Sequence, residues 1–168
     1  MEPERLGELL DRHAAALELF ARQWCDTPED VVQDAFLKLA ALPTPPDEPA
    51  AWLFRVVRNG AMDASRAARR RRKHEALATR SAAWFEGPDS DRPVGTIDPE
   101  DAADALRALP DEEREVIVAH LWGGLSFDQV AGLISGSSST AHRLYSRGLS
   151  ALRERLGVTC RKTRRNPS

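Results

Sequence analysis

The stretch from Leu125 to Leu144, with the residues just after it, carries the clearest chemistry in the chain. Ser138, Ser139, Thr140, His142, Arg143, Ser146 and Arg147 combine hydroxyl and imidazole hydrogen-bonding groups with two guanidiniums. Held along one helix, such groups suit a DNA major groove: cations hold phosphates, and neutral donors and acceptors read base edges. The surrounding residues supply the frame. Ser126 and Gln129 have the spacing of a capping box, and Phe127, Val130, Ala131 and Ile134 recur at helical intervals. Ser135-Gly136 interrupts the pattern where a sharp turn needs glycine's backbone freedom. Ser137 or Ser138 can cap a second helix with Ala141, Tyr145, Gly148 and Leu152 on its apolar stripe. The pattern predicts a helix-turn-helix; an ordinary helical hairpin is the plainer reading. The helix before it, opening at Pro110, turns Val116, Ile117 and Leu121 inward and ends at Gly123-Gly124.

A second set lies upstream. A helix beginning near Ala50 turns Trp52, Leu53, Val56, Val57, Gly60, Ala61 and Ala64 inward, and Arg55, Arg58, Asn59, Met62 and Arg66 outward. It runs into Arg69, Arg70, Arg71, Arg72 and Lys73, a density of cations that points to nucleic acid rather than to a charged helix end alone. A third set sits on an earlier helix. Thr27 can cap it, Pro28 suits its first turn, and Glu29 and Asp30 favour its positive end. Val31, Val32, Ala35, Phe36 and Leu39 make its apolar face, leaving Asp30, Gln33, Asp34 and Lys38 outside. From residue types alone that outer face reads as solvated.

The bulk numbers limit the classes available. With 168 residues, 42% hydrophobic and 30% charged, the chain fits one or two soluble helical domains. The formal charge is only −2, but it is divided: basic blocks at 66–73 and 161–165 flank an acidic stretch from Glu86 to Asp104. Gly87-Pro88, Arg92-Pro93 and Asp98-Pro99 mark that stretch as a linker, with Trp84-Phe85 inside it free to pack on a neighbour. The four prolines between Leu42 and Pro49 exclude helix there. Trp24, Trp52 and Trp122 are read as core. Cys25 and Cys160 are far apart and the histidines scattered, so neither a zinc site nor a disulfide framework is expected. No apolar run can span a bilayer and no leader pattern opens the chain, which predicts a cytoplasmic protein without membrane insertion. No catalytic triad, phosphate-cradling glycine loop or metal cluster stands out, so no enzymatic role and no cofactor are expected.

Two motifs in order resemble the bacterial sigma-70 family. Residues 27–39 are similar to its helix that binds core RNA polymerase. Residues 51–63, with the arginines after them, resemble the helix that meets the promoter −10 element. Ala108-Leu109-Pro110-Asp111-Glu112-Glu113-Arg114-Glu115-Val116 and the helix-turn-helix resemble its −35-binding domain. The short length and direct junction of the two domains resemble the extracytoplasmic-function group. Where that family carries glycine and then an aliphatic residue at the turn, this chain has Ser135 and Gly136.

The resemblance implies an all-α fold. Residues 6–78 form a region 2-like domain, 79–100 a flexible acidic linker, 101–158 a region 4-like helix-turn-helix domain and 159–168 a basic tail. It implies a factor that binds core RNA polymerase, directs it to promoter DNA and assists melting. Asp30, Gln33, Asp34 and Lys38 would contact polymerase, and Arg55, Arg58, Asn59, Arg66, Arg69 and Arg70 the −10 element. Ser138, Ser139, Thr140, His142, Arg143, Ser146 and Arg147 would contact the −35 element. The loop from Leu42 to Pro49 lies where the family shapes a pocket for a flipped promoter base. The resemblance also admits an anti-sigma factor as a partner. A helix-turn-helix regulator acting without polymerase is the alternative, and it leaves residues 27–39 unexplained.

Overall fold

The computed structural model describes residues 2–74 and 99–157, with side chains for residues 2–71 and 101–157. Among the described residues seven α-helices and one π-helical turn make up the regular structure, and no strand occurs. Three helices form the N-terminal unit: α1 (Pro3–Ala21), α2 (Pro28–Ala41) and α3 (Pro49–His74). The C-terminal unit contains α4 (Pro99–Arg107), α5 (Asp111–Ile117), the π-helical turn (Val118–Trp122), α6 (Phe127–Leu133) and α7 (Ser138–Arg155). Residues 79–98 of the expected linker, Trp84-Phe85, and the tail with Cys160 lie outside the described residues. Pro99 and Glu100, expected in the linker, instead open α4.

Sequence signals and helix ends agree closely in α2 and α6. Pro28 opens α2, with Glu29 and Asp30 in its first turn and Lys38 in its last, each complementing the helix dipole. Thr27 is the N-cap residue, but its side chain makes no capping bond. Its backbone stands at φ −128° and ψ 63°, outside the extended geometry that aims a cap oxygen at the first turn. Ser126 does cap α6: its Oγ accepts from the Gln129 N–H at 3.2 Å, and the Gln129 carbonyl oxygen accepts from the Ser126 N–H at 2.8 Å. Ser137, rather than Ser138, caps α7 by accepting from the Thr140 N–H at 3.1 Å.

The turn between α6 and α7 departs from expectation. Ser135, not Gly136, takes the left-handed backbone, at φ 55°. An L-residue there costs about 1–2 kcal/mol, while glycine's extra unfolded-state freedom returns roughly half of that. Ser135→Gly is therefore expected to raise the unfolding free energy by about 0.5–1 kcal/mol, read as a higher urea midpoint at unchanged slope. A lower midpoint would show that the serine side chain supports the turn.

The cores of the two units are continuous. Leu17, Phe20, Val32, Phe36, Leu39, Leu53, Phe54 and Val57 join Leu106, Leu109, Val116, Ile117, Val118, Val130 and Leu144 in one buried cluster. Phe54 of α3 is the joint: its ring meets Phe20 edge-on at 5.1 Å and lies over Gly123, where any Cβ would collide with the ring. The two units thus touch directly as well as being joined along the chain.

The π-helical turn explains a further correction. Helical spacing puts Leu121 inside and residue type puts Trp122 there, yet they are 53% and 48% exposed. The Gly123 N–H reaches back to the Val118 carbonyl at 3.0 Å, five residues away. The widened turn shifts the helical register, so Val116 to Ala119 stay buried while the next aromatic leaves the core. Trp24 and Trp52 do pack against the core as expected.

Candidate nucleic-acid and partner interfaces

The helix-turn-helix presents its polar face as its spacing predicts. Ala141, Leu144, Gly148 and Leu152 bury one side of α7, leaving Ser139, His142, Arg143, Ser146 and Arg147 exposed. Ser138 and Thr140 are half-buried at the helix start. Thr140 Oγ1 lies 2.9 Å from Ser137 Oγ and accepts from Arg143 at 3.4 Å, which ties the first turn to one guanidinium. His142 stands edge-on to Phe127 at 5.1 Å, and Phe127 stacks on His120 at 4.2 Å. His120 Nδ1 lies 2.6 Å from the Leu125 carbonyl, and Tyr145 closes this aromatic cluster. Helix α7 is thus braced by rings from α6 and the π-helical turn. Close approach of α7 to α5 requires Gly148, since a Cβ there would lie 2.7 Å from Ile117.

Arg147 does not stand alone. Its guanidinium donates to Glu113, a carboxylate with a side chain only 6% exposed, while Arg147 itself is 67% exposed. A buried acid thereby holds one cation of the polar face in a fixed direction.

On α3, Arg55, Asn59, Arg66, Arg69 and Arg70 are exposed, and Arg66 pairs with Asp63 at 3.0 Å. Arg58 lies apart from this set. It donates through Nε to Glu115 Oε1 at 2.5 Å and through Nη2 to Oε2 at 3.3 Å, across the joint between the units. Arg58 is 26% exposed and Glu115 5%. Burial pushes the Glu115 carboxyl up despite the opposing pull of Arg58. A carboxyl raised in the folded state favours folding most when protonated. Its contribution is full below the ordinary carboxylate range and is lost as pH rises through the raised value. A buried ion pair adds little net cohesion, so the units are held chiefly by the apolar contact around Phe54.

The joint has two further polar ties. Gln129 Nε2 donates to Glu48 at 2.8 Å, linking α6 to the residue before α3. Arg114, nearly buried, donates to the Arg107 carbonyl at 3.0 Å, the Leu109 carbonyl at 3.3 Å and Asp111 at 2.6 Å, and its Nε reaches Gln23 at 3.3 Å.

Asp30, Gln33, Asp34 and Lys38 are exposed on α2, with Lys38 paired to Asp34 at 2.6 Å. Beside them runs a shallow apolar groove of about 240 Å³ between α1 and α2, lined by Leu6, Leu10, Val32, Gln33, Phe36 and Leu37. Leu37 is well exposed at its edge. Acidic and amide groups bordering apolar surface suit a protein partner better than the wholly solvated face that residue types suggested.

The sequence marks Gly123 only as a helix end and gives Glu113, Glu115 and Phe54 no contact of their own. The available signal was two acids flanking Arg114 just before an apolar run: buried carboxylates require cations, and Arg58 and Arg147 supply them. Among the described residues no group of His, Cys, Asp and Glu could hold a metal ion, and no helix is long and apolar enough to cross a membrane.

Comparison with known proteins places similarities on both units. Residues 9–71 match the sigma-70 region 2 family and residues 100–152 match sigma-70 region 4. The chain is 32% identical over 168 aligned residues to the ECF RNA polymerase sigma factor SigL of Mycobacterium tuberculosis, covering 94% of each chain. Among solved structures it resembles the sigma factor RpoE in complex with the anti-sigma factor NepR from Bartonella quintana. That match has a TM-score of 0.71 and 26% identity, over 95% of this chain and all of the other. It also resembles CnrH in complex with the cytosolic domain of CnrY, with a TM-score of 0.58 and 27% identity over 95% and 92% of the two chains.

Proposed function

We propose a division of roles on the premise that the chain belongs to the ECF group of sigma-70-family RNA polymerase sigma factors. As such it binds core RNA polymerase and promoter DNA and directs transcription initiation; a helix-turn-helix regulator independent of polymerase is not favoured. In our reading residues 6–78 form the polymerase- and −10-binding domain and residues 101–158 the −35-binding domain. Asp30, Gln33, Asp34 and Lys38 receive polymerase. Arg55, Arg58, Asn59, Arg66, Arg69 and Arg70 engage the −10 element. Ser138, Ser139, Thr140, His142, Arg143, Ser146 and Arg147 dock on the −35 element. The protein acts in the cytoplasm, by binding rather than by turnover. An anti-sigma factor is a fitting partner, since the sigma factor RpoE, which this chain resembles, was solved with one.

The observation that carries the polymerase reading is the acid-and-amide row on α2 beside an exposed apolar groove. Reversing charge at Asp30→Lys and Asp34→Lys is expected to weaken binding to core polymerase by at least about tenfold, roughly 1.4 kcal/mol. Both side chains are exposed, so helicity by circular dichroism should match the parent. Equal affinity for the double variant and the parent would remove α2 from the interface.

A further inference from the structure

We infer that Glu113 is a positioning residue for promoter recognition. It holds the Arg147 guanidinium by Nε, so that the two Nη groups face outward, end-on, to one base pair of the −35 element. The inference rests on the reading of α7 as the −35 helix, and adds to it a residue of α5 that lies outside the DNA face.

Three residues build the arrangement. Arg147 Nε donates to Glu113 Oε1. The other oxygen, Oε2, lies 3.6 Å from where a Cβ on Gly148 would stand, and Glu113 Cβ lies 3.1 Å from the same point. Glycine at 148 therefore opens the space into which the acid folds, and a side chain there would press on it. In that seat the Glu113 side chain is 6% exposed, while Arg147 remains 67% exposed. The pair is anchored at its acid end and open at its cationic end.

The chemistry of the guanidinium sets the consequence. The group is planar and offers paired donors on two edges: Nε with one Nη, and the end formed by both Nη groups. Glu113 takes Nε, so the end edge points away from α5. Arg147 stands nine residues past Ser138, the first residue of α7. That is about 14 Å along the axis, well beyond the N-terminal turn of a recognition helix. A loose arginine there would give up many rotamers on docking; a tethered one gives up few. The carboxylate also offsets the charge, which makes this arginine less a clamp on phosphates and more a directed pair of donors. A base edge with two neighbouring acceptors, as guanine has at O6 and N7, matches them. Arg143, by contrast, takes its support from Thr140 of its own helix, at 3.4 Å.

Selection with holoenzyme tests this, on a genomic promoter that the parent opens, randomised through its −35 region. The parent should prefer one base pair about tenfold, and Glu113→Leu should cut that preference to about twofold while other positions keep theirs. Leucine has the acid's length without its acceptor, and Ile117, one turn on, borders the seat. Glu113→Met is a second acceptor-free variant and should behave alike. The thermal midpoints of both should stay near the parent's, since water can meet the freed Nε of the exposed Arg147. Glu113→Gln keeps an acceptor for Nε and should restore the preference. A merely structural role for Glu113 would weaken every position together.

Parent-like selections by Glu113→Leu and Glu113→Met would overturn the proposal. So would loss at all positions alike in a variant with a parent-like midpoint, or the same single loss in Glu113→Gln. The premise is tested separately: Arg147→Gln should change the preference at that same base pair. If it changed no position, Arg147 would not read the −35 element, and the proposal would fall with that reading. If it changed one that Glu113→Leu left intact, the reading would stand and the role of Glu113 would be wrong.

Discussion

Phe54→Ala is expected to lower the unfolding free energy of the chain by about 3–5 kcal/mol, the range for truncating a buried aromatic. The ring is fully buried, edge-on to Phe20 and pressed against Gly123. Alanine leaves a cavity between the Phe20 ring and the Gly123 backbone, bounded by two units. Domains of this size are stable by roughly 5–15 kcal/mol, so the loss would take a large share of the total. Urea denaturation followed by circular dichroism measures it. A loss under about 1 kcal/mol would mean that the ring contributes little to holding α3 against the π-helical turn. Because the contact crosses the joint, the transition should also broaden as the two units begin to unfold separately.

The second large effect separates the two DNA faces. Asn59→Ala in the holoenzyme is expected to reduce strand opening more than closed-complex formation, and Arg143→Ala the reverse. Each residue is exposed on its own helix, Asn59 on α3 and Arg143 on α7. An amide on α3 can read an unpaired base edge only after melting, whereas a guanidinium on α7 acts on intact duplex. Removing a groove-reading guanidinium costs about 1–3 kcal/mol, or roughly ten- to a hundredfold in docking. Permanganate reactivity of the −10 region reports opening, and mobility shift at low temperature reports docking. If both variants weakened both signals in equal proportion, the division between α3 and α7 would be wrong.

Most helices were legible because their signals are local. The Ser126–Gln129 box, Pro28 at the head of α2 and Ala141, Gly148 and Leu152 on the α7 stripe depend on residues within a few turns of one another, although Leu144 and not the expected Tyr145 completes the buried side. The exposed faces of α2, α3 and α7 followed from the same periodicity. What the periodicity could not contain is the partner of a side chain far along the chain. Arg58 and Glu115 are separated by 57 residues, and nothing in either helix alone states that they meet. Leu121 and Trp122 misled for a related reason: a constant period of 3.6 was carried through a turn that widens. At Ser135 composition favoured the neighbouring glycine, yet the chain placed its strained angle one residue earlier.

That widened turn also makes the meeting of the two units a matter of helical phase. Each residue in an α-helix advances the chain by about 100° around its axis. The widened turn absorbs one residue, so Gly123 still lies over Val118. One more residue inserted after Leu121, with no further widening to take it up, would rotate all that follows by one such step. Val116 and Ile117, upstream of the insertion, would keep their places, and α6 and α7 could still form their turn. Gly123, however, would swing away from Phe54, and Gln129 from Glu48. The turn thus works as an indexing tooth: it takes up one residue, and the next would mismatch two halves that are each intact.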